Sequence, residues 1–158
     1  MSDTPSQRMA PWRSYDDIVV GSTFEGFGRT ITEAEIMMMT AIVGGIHQPL
    51  HTNIEYIREH TQFQGVLLPG ALITAYAVGL LSATLVYSTI TIAALGFDAV
   101  RSTSPVLGGD TITPTATVKS KRLTSDPSRG VVAMDVVVRK QDGAVVQSFV
   151  YTFMVRAG

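Results

Sequence analysis

All three histidines of the chain, His47, His51 and His60, fall in one short polar stretch between two apolar segments. An imidazole takes and gives a proton near neutral pH more readily than any other side chain, so acid–base chemistry is expected here. His51 is the first candidate. His47, four residues earlier, is the second candidate acid or base. Gln48 can orient a water molecule, but an amide cannot deprotonate it. His60 closes the run IEYIREH and reads as a surface residue. Two histidines with only Glu55 as a nearby carboxylate make a weak metal signal, since a zinc site asks for three or four placed ligands. No metal and no cofactor is expected. The chain contains no cysteine, which removes disulfides, thiolate nucleophiles and cysteine-rich zinc sites together.

The flanking elements must position these side chains. Thr32 precedes Glu33, Glu35 and the run IMMMTAIV. A hydroxyl and carboxylates there satisfy the free amides of a first helical turn, so a helix is predicted to start at Thr32. It should end near Gly44-Gly45, where two glycines cost too much backbone entropy to sit inside it. Met37, Met38 and Met39 are expected to pack in the core. Residues 54–60 suit two helical turns. Pro69-Gly70 opens a long apolar helix from Ala71 to about Tyr87, proline being favoured where a helix begins. After Ser88 the pattern turns to period two. Strands are predicted over 89–94 with 97–102, over 111–121, 131–140 and 145–155, with Asp142-Gly143 as a hairpin turn. A further strand, 23–31, precedes the first helix. Strands segregated from one apolar helix argue α+β, an antiparallel sheet wrapped on that helix.

Composition narrows the classes. With 158 residues, 46% of them apolar and 16% charged, and a net charge of −1, the chain is one domain's worth and short of surface charge against a usual ~25%. An oligomer is expected, and neither nucleic acid nor an acidic membrane surface. Residues 1–14 read as a flexible arm, and 15–158 as a single domain. The N-terminus lacks the apolar core of a signal peptide, and a cysteine-free, signal-free chain reads as cytoplasmic. The uncharged stretch 66–87 raises a transmembrane alternative, disfavoured because no basic belt flanks it.

Two stretches resemble the MaoC-like hydratases, a hot-dog family that includes (R)-specific enoyl-CoA hydratases. The first is AIVGGIHQPLHTNIEYIREHTQFQGVLLPG, residues 41–70, in which Gly45, Pro49, Leu50, His51, Phe63 and Gly70 fall in step with the family pattern. The second is FDAVRSTSPVLGGDTI, residues 97–112, in which Arg101, Pro105, Val106, Gly109, Asp110 and Thr111 match. The resemblance implies a hot-dog fold, an acyl-thioester substrate such as an acyl-CoA, and pairing with a second hot-dog subunit, as a homodimer or a hetero-oligomer. Four positions depart from the pattern. The catalytic Asp of the family falls on Ile46, the Asn before its Pro on Gln48, a later Asp on Asn53, and the His before the helix-opening Gly on Pro69.

Hydration of a 2-enoyl thioester needs a base for water, an acid for C2, and donors for the charge that builds on the thioester oxygen. The resemblance implies His51 in the first role, with His47 as a helper. The amides at the helix start supply the donors, and Gly70 lets the thioester approach the backbone. Gln48, Ile46, Pro69 and Arg101 complete the expected substrate contacts, Arg101 toward a CoA phosphate or a second subunit. Two alternatives stay open: a non-catalytic or partner-dependent subunit that binds acyl-CoA, and an acyl-CoA thioesterase. Lys119, Lys121 and Arg122 read as a solvated strand end, and Asp110 as a turn former.

Overall fold

The structure, a computed structural model, describes residues 9–45 and 48–158. The first strand signal resolves into two pieces, β1 (Thr23–Glu25) and β2 (Arg29–Thr30). Gly26 interrupts it where a Cβ would meet Pro114 at 2.8 Å. The first helix, α1 (Glu33–Ile42), begins as its cap predicts. The Glu35 amide donates to the Thr32 hydroxyl at 3.2 Å, and the Glu35 carboxylate turns back to the Thr32 amide, so two orphan donors are satisfied reciprocally. Gly44 ends the run with φ of 80°, a left-handed conformation that glycine adopts without a Cβ penalty. A single turn, α2 (Pro49–Thr52), and a short helix, α3 (Ile54–His60), carry the chain across. Asn53 caps α3 by accepting the Tyr56 amide.

The long apolar helix is α4 (Gly70–Ser82). It stops well short of Tyr87, the expected end. Thr84 bonds back to the Leu81 carbonyl, and Leu85 takes a left-handed φ of 64°. The chain thereby reverses and sends Val86 and Tyr87 into the core. At this length α4 is too short to cross a bilayer, and no helix among the described residues is long and apolar enough to do so.

Four long strands follow: β3 (Thr91–Ser102), β4 (Thr111–Leu123), β5 (Arg129–Lys140) and β6 (Val145–Arg156). All pairings are antiparallel, in the order β1-β4-β5-β6-β3, with β2 also on β4. β4, β5 and β6 alternate buried and half-buried residues, as a sheet with one covered face requires. Their inner face meets Leu72, Ile73, Ala77 and Leu81 of α4. This is the expected α+β arrangement of a sheet around one helix.

Two expectations are corrected, one on Met37 and Met38 and one on the N-terminal arm. Met37 and Met38 are not core: they are 46% and 58% exposed, because α1 buries only the face carrying Ile36 and Thr40. The outward side of α4 is not covered by the sheet, and Ala71, Ala75 and Gly79 along it are exposed. The packed structure also reaches into the segment read as an arm. Trp12 is buried, edge-on to Phe24, and its amide donates to Val86. An indole buries more apolar area than a polar arm can leave in water.

Candidate functional site

Leu67 and Leu50 bring the two ends of the histidine stretch together. The Leu67 amide donates to the Leu50 carbonyl at 3.0 Å. The Leu67 carbonyl in turn sits 2.6 Å from Nδ1 of His51. A carbonyl oxygen only accepts, so the shared proton resides on Nδ1. In the neutral ring Nε2 is then the basic nitrogen, and it has no hydrogen-bond partner among the described residues. His51 is half-buried, at the end of α2 where its own amide bonds the Gln48 carbonyl.

The strut behind Leu67 is the loop that enters β4. Leu67 bridges to Leu107, and the Leu68 amide donates to Val106 at 2.8 Å. Asp110 braces that loop: its carboxylate accepts from the Leu107 amide, the Gln141 side chain and the Lys140 ammonium. Burial raises its pKa, but these donors outweigh burial and hold the carboxyl below the usual Asp value. The turn role read from the sequence therefore extends to positioning the stretch that carries Leu67.

Two residues after Leu67, Pro69 stands just outside α4 and Gly70 is its first residue, one place later than a proline-first start would have it. Leu72 and Ile73 donate to the Pro69 carbonyl. The amides of Gly70 and Ala71 are left without an acceptor among the described residues, the usual condition of a helix start. They open at one end of a cleft of about 630 Å³ between α4 and β3. Ala75, Val78, Phe97 and Val100 make its apolar walls, and Gly70, Thr74, Ser102 and Gln147 its polar end.

The other expected residues are dispersed. Gln48 is exposed at the start of α2. Arg101 is exposed on β3, where its guanidinium bonds the neighbouring Val100 carbonyl and forms no ion pair with a described residue. Ile46 and His47 lie outside the described residues. His60 stacks on Tyr56 at the surface. Lys119 pairs with Asp135, and Lys121 lies over the Tyr15 ring.

Two features escaped the sequence reading. Glu35 accepts from both Arg29 and Tyr76 at 2.7 Å, tying α1 to α4 beside an apolar groove of about 340 Å³. Burial pushes its carboxyl up, but the Tyr76 and Arg29 bonds prevail and lower it. Burial and the bond to Glu35 push the Tyr76 hydroxyl up to about 12. With Arg29, Tyr76 and the Thr32 amide all donating to it, Glu35 is a clamp rather than a free base. The second feature is Gln147, fully buried on β6 and bonded to Thr74, Gly70 and Ser102. The sequence did carry a signal for it: a lone amide in register with inward Phe149, Tyr151, Phe153 and Val155.

Comparison with known proteins places this geometry. A family model described as MaoC like domain matches residues 19–140. The chain belongs to the MaoC-like domain family. The solved structure of a monoamine oxidase regulatory protein from Archaeoglobus fulgius is 30% identical with a TM-score of 0.84, over 94% of this chain and 96% of that one. The (R)-hydratase PhaJ1 of Pseudomonas aeruginosa, solved unliganded, is 25% identical with a TM-score of 0.73, over 92% of this chain and 86% of that one. Rv0216 from Mycobacterium tuberculosis, described as a double hot-dog fold, superposes at a TM-score of 0.79 with 23% identity, over 92% of this chain and 44% of that one. The fold of this MaoC-like domain is therefore the hot dog. Its family supports chemistry of the hydratase or dehydratase type. No curated protein matches the chain.

Proposed function

We propose that this MaoC-like protein adds water to a 2-enoyl thioester, or removes it from the 3-hydroxyacyl thioester, with an acyl-CoA as the substrate. The observation that carries this reading is the bond between His51 Nδ1 and the Leu67 carbonyl, which leaves Nε2 as the basic nitrogen and ties the ring to a residue three places before the start of α4. In the hydration direction the water oxygen bonds to C3 and its proton passes to Nε2 of His51. The C2–C3 π electrons move toward the thioester, and negative charge collects on its oxygen, facing the Gly70 and Ala71 amides. C2 then takes up a proton, for which the sequence offers His47 as a second acid. His51 then holds one proton more and His47 one fewer; exchange with solvent returns both to their starting states, so water is the only reactant consumed. Gln48, Ile46, Pro69 and Arg101 stay in the proposal as contacts to the acyl or CoA portion.

The test is the loss of enoyl-thioester absorbance with crotonyl-CoA and longer 2-enoyl-CoAs, wild type beside His51→Ala. Turnover that depends on His51 supports the reading. A His51→Ala enzyme as fast as wild type on every enoyl-CoA rejects it, and release of free CoA from saturated acyl-CoAs would favour the thioesterase alternative.

A second reading concerns assembly. Among the described residues β3 pairs only on its β6 side, and Ile92, Leu95, Phe97 and Val100 along it are exposed. An unpaired apolar edge templates association unless something covers it. We infer that a second hot-dog subunit pairs along β3, as a homodimer or with a chain that supplies the carboxylate missing at Ile46. A monodisperse homo-oligomer active in pure form would exclude the need for a different partner.

A further inference from the structure

The polar end of the cleft has a built-in orientation. Ser102 and Gln147 are directly opposed in the β3–β6 register. Gln147 has no exposed surface, so each polar atom of its amide must find a partner in the protein. Its nitrogen lies 2.8 Å from the Gly70 carbonyl and 3.1 Å from the Ser102 hydroxyl, and its oxygen 2.8 Å from the Thr74 hydroxyl. The Gly70 carbonyl can only accept, so the nitrogen must be the atom facing it. A flipped amide would set two oxygens against each other. With the amide fixed, its second N–H points at Ser102, whose oxygen accepts. Among the side chains of this cluster the Ser102 proton is then the donor left over, and it has no acceptor among the described residues.

That proton faces a cleft with apolar walls. The Ser102 oxygen stands 3.1 Å from where a side chain on Gly70 would begin, next to the helix start. A hydroxyl that already accepts from a buried amide that cannot turn keeps its proton free to donate, which favours an occupant with an acceptor oxygen at that end of an apolar chain.

We propose that Ser102 is a substrate-binding residue that donates a hydrogen bond to the carbonyl oxygen of the acyl thioester, and that Gln147 is the positioning residue that makes it a donor. The inference rests on the acyl-thioester reading above and names a contact that reading does not require.

The test compares two saturated probes by calorimetry. Butyryl-CoA carries the carbonyl oxygen, and its thioether counterpart butyl-CoA lacks it. Wild type, Ser102→Ala and Ser102→Thr are used, together with kcat and KM on crotonyl-CoA. Ser102 is exposed on an edge strand, so the alanine variant is expected to fold. One neutral hydrogen bond corresponds to about tenfold in affinity. Ser102→Ala should therefore weaken butyryl-CoA by about tenfold and leave butyl-CoA unchanged, with Ser102→Thr restoring most of the loss. If Ser102→Ala weakens both probes equally, or neither, the contact is wrong while the hydratase reading stands. If wild type binds neither probe and turns over no enoyl-CoA, the acyl-thioester reading fails and this inference with it.

Discussion

The Leu67 carbonyl oxygen lies 2.6 Å from Nδ1 of His51, a bond between residues 16 apart in sequence that selects which ring nitrogen is basic. Histidines poised as bases commonly have the other nitrogen held this way. Here the holder is a backbone atom, so no single side-chain substitution can remove it. The effect of losing the ring is therefore cleanly attributable to the ring.

His51→Ala should lower kcat on enoyl-CoA by about 10²–10⁴, the usual worth of a placed general base. Its fold should survive, since the ring is half-buried and makes one hydrogen bond, a loss of about 1 kcal/mol. Enoyl absorbance kinetics and a thermal melt on the same sample separate the two.

Asp110→Asn keeps the shape of the brace but removes its charge, and should cost about 1–3 kcal/mol of unfolding free energy at pH 7. The sign of the pH dependence follows from the lowered folded pKa. The charged form is favoured by folding, so its contribution is complete above the ordinary Asp value near ~4 and is lost as pH falls below that value through the lowered folded one. Urea titrations from pH 7 to pH 3 should show the gap between wild type and variant closing toward acid. A constant gap would mean the carboxylate charge plays no part.

Thr32→Ala removes the cap of α1 and should cost about 0.5–2 kcal/mol. Because α1 is tied to α4 through Glu35, Tyr76 and Arg29, amide exchange should rise across α1 before the sheet is affected. Exchange mass spectrometry reads this directly.

Leu95→Lys places a charge at the middle of the open edge, a device that natural sheets use to block pairing. It should shift the protein toward monomer in sedimentation at micromolar concentration, and an unchanged sedimentation coefficient would move the interface away from β3.

Much of this was legible in the residues because it depends on near neighbours. The Thr32–Glu35 cap, the Asn53 start of α3 and the Asp142-Gly143 turn are each set within a few residues, where hydroxyls, carboxylates and glycine act on the adjacent backbone. The same holds for the period-two strands and for the motifs around His51 and Asp110. The family resemblance added the fold and the class of chemistry. What misled the reading was any inference from apolar character to burial. Met37, Met38 and the outer stripe of α4 are as apolar as the core, but whether they are covered depends on which elements arrive from elsewhere in the chain.

Most of the elements, their order and the acid–base candidate are written in the residues, because capping, turn geometry and alternation act over a few bonds. How that candidate's ring is held depends on contacts between distant parts of the chain. Leu67 selects the His51 tautomer across 16 residues, and Gln147 orients Ser102 across 45. Such long-range bonds form only once burial has closed the intervening chain and left each polar group the single partner within its reach.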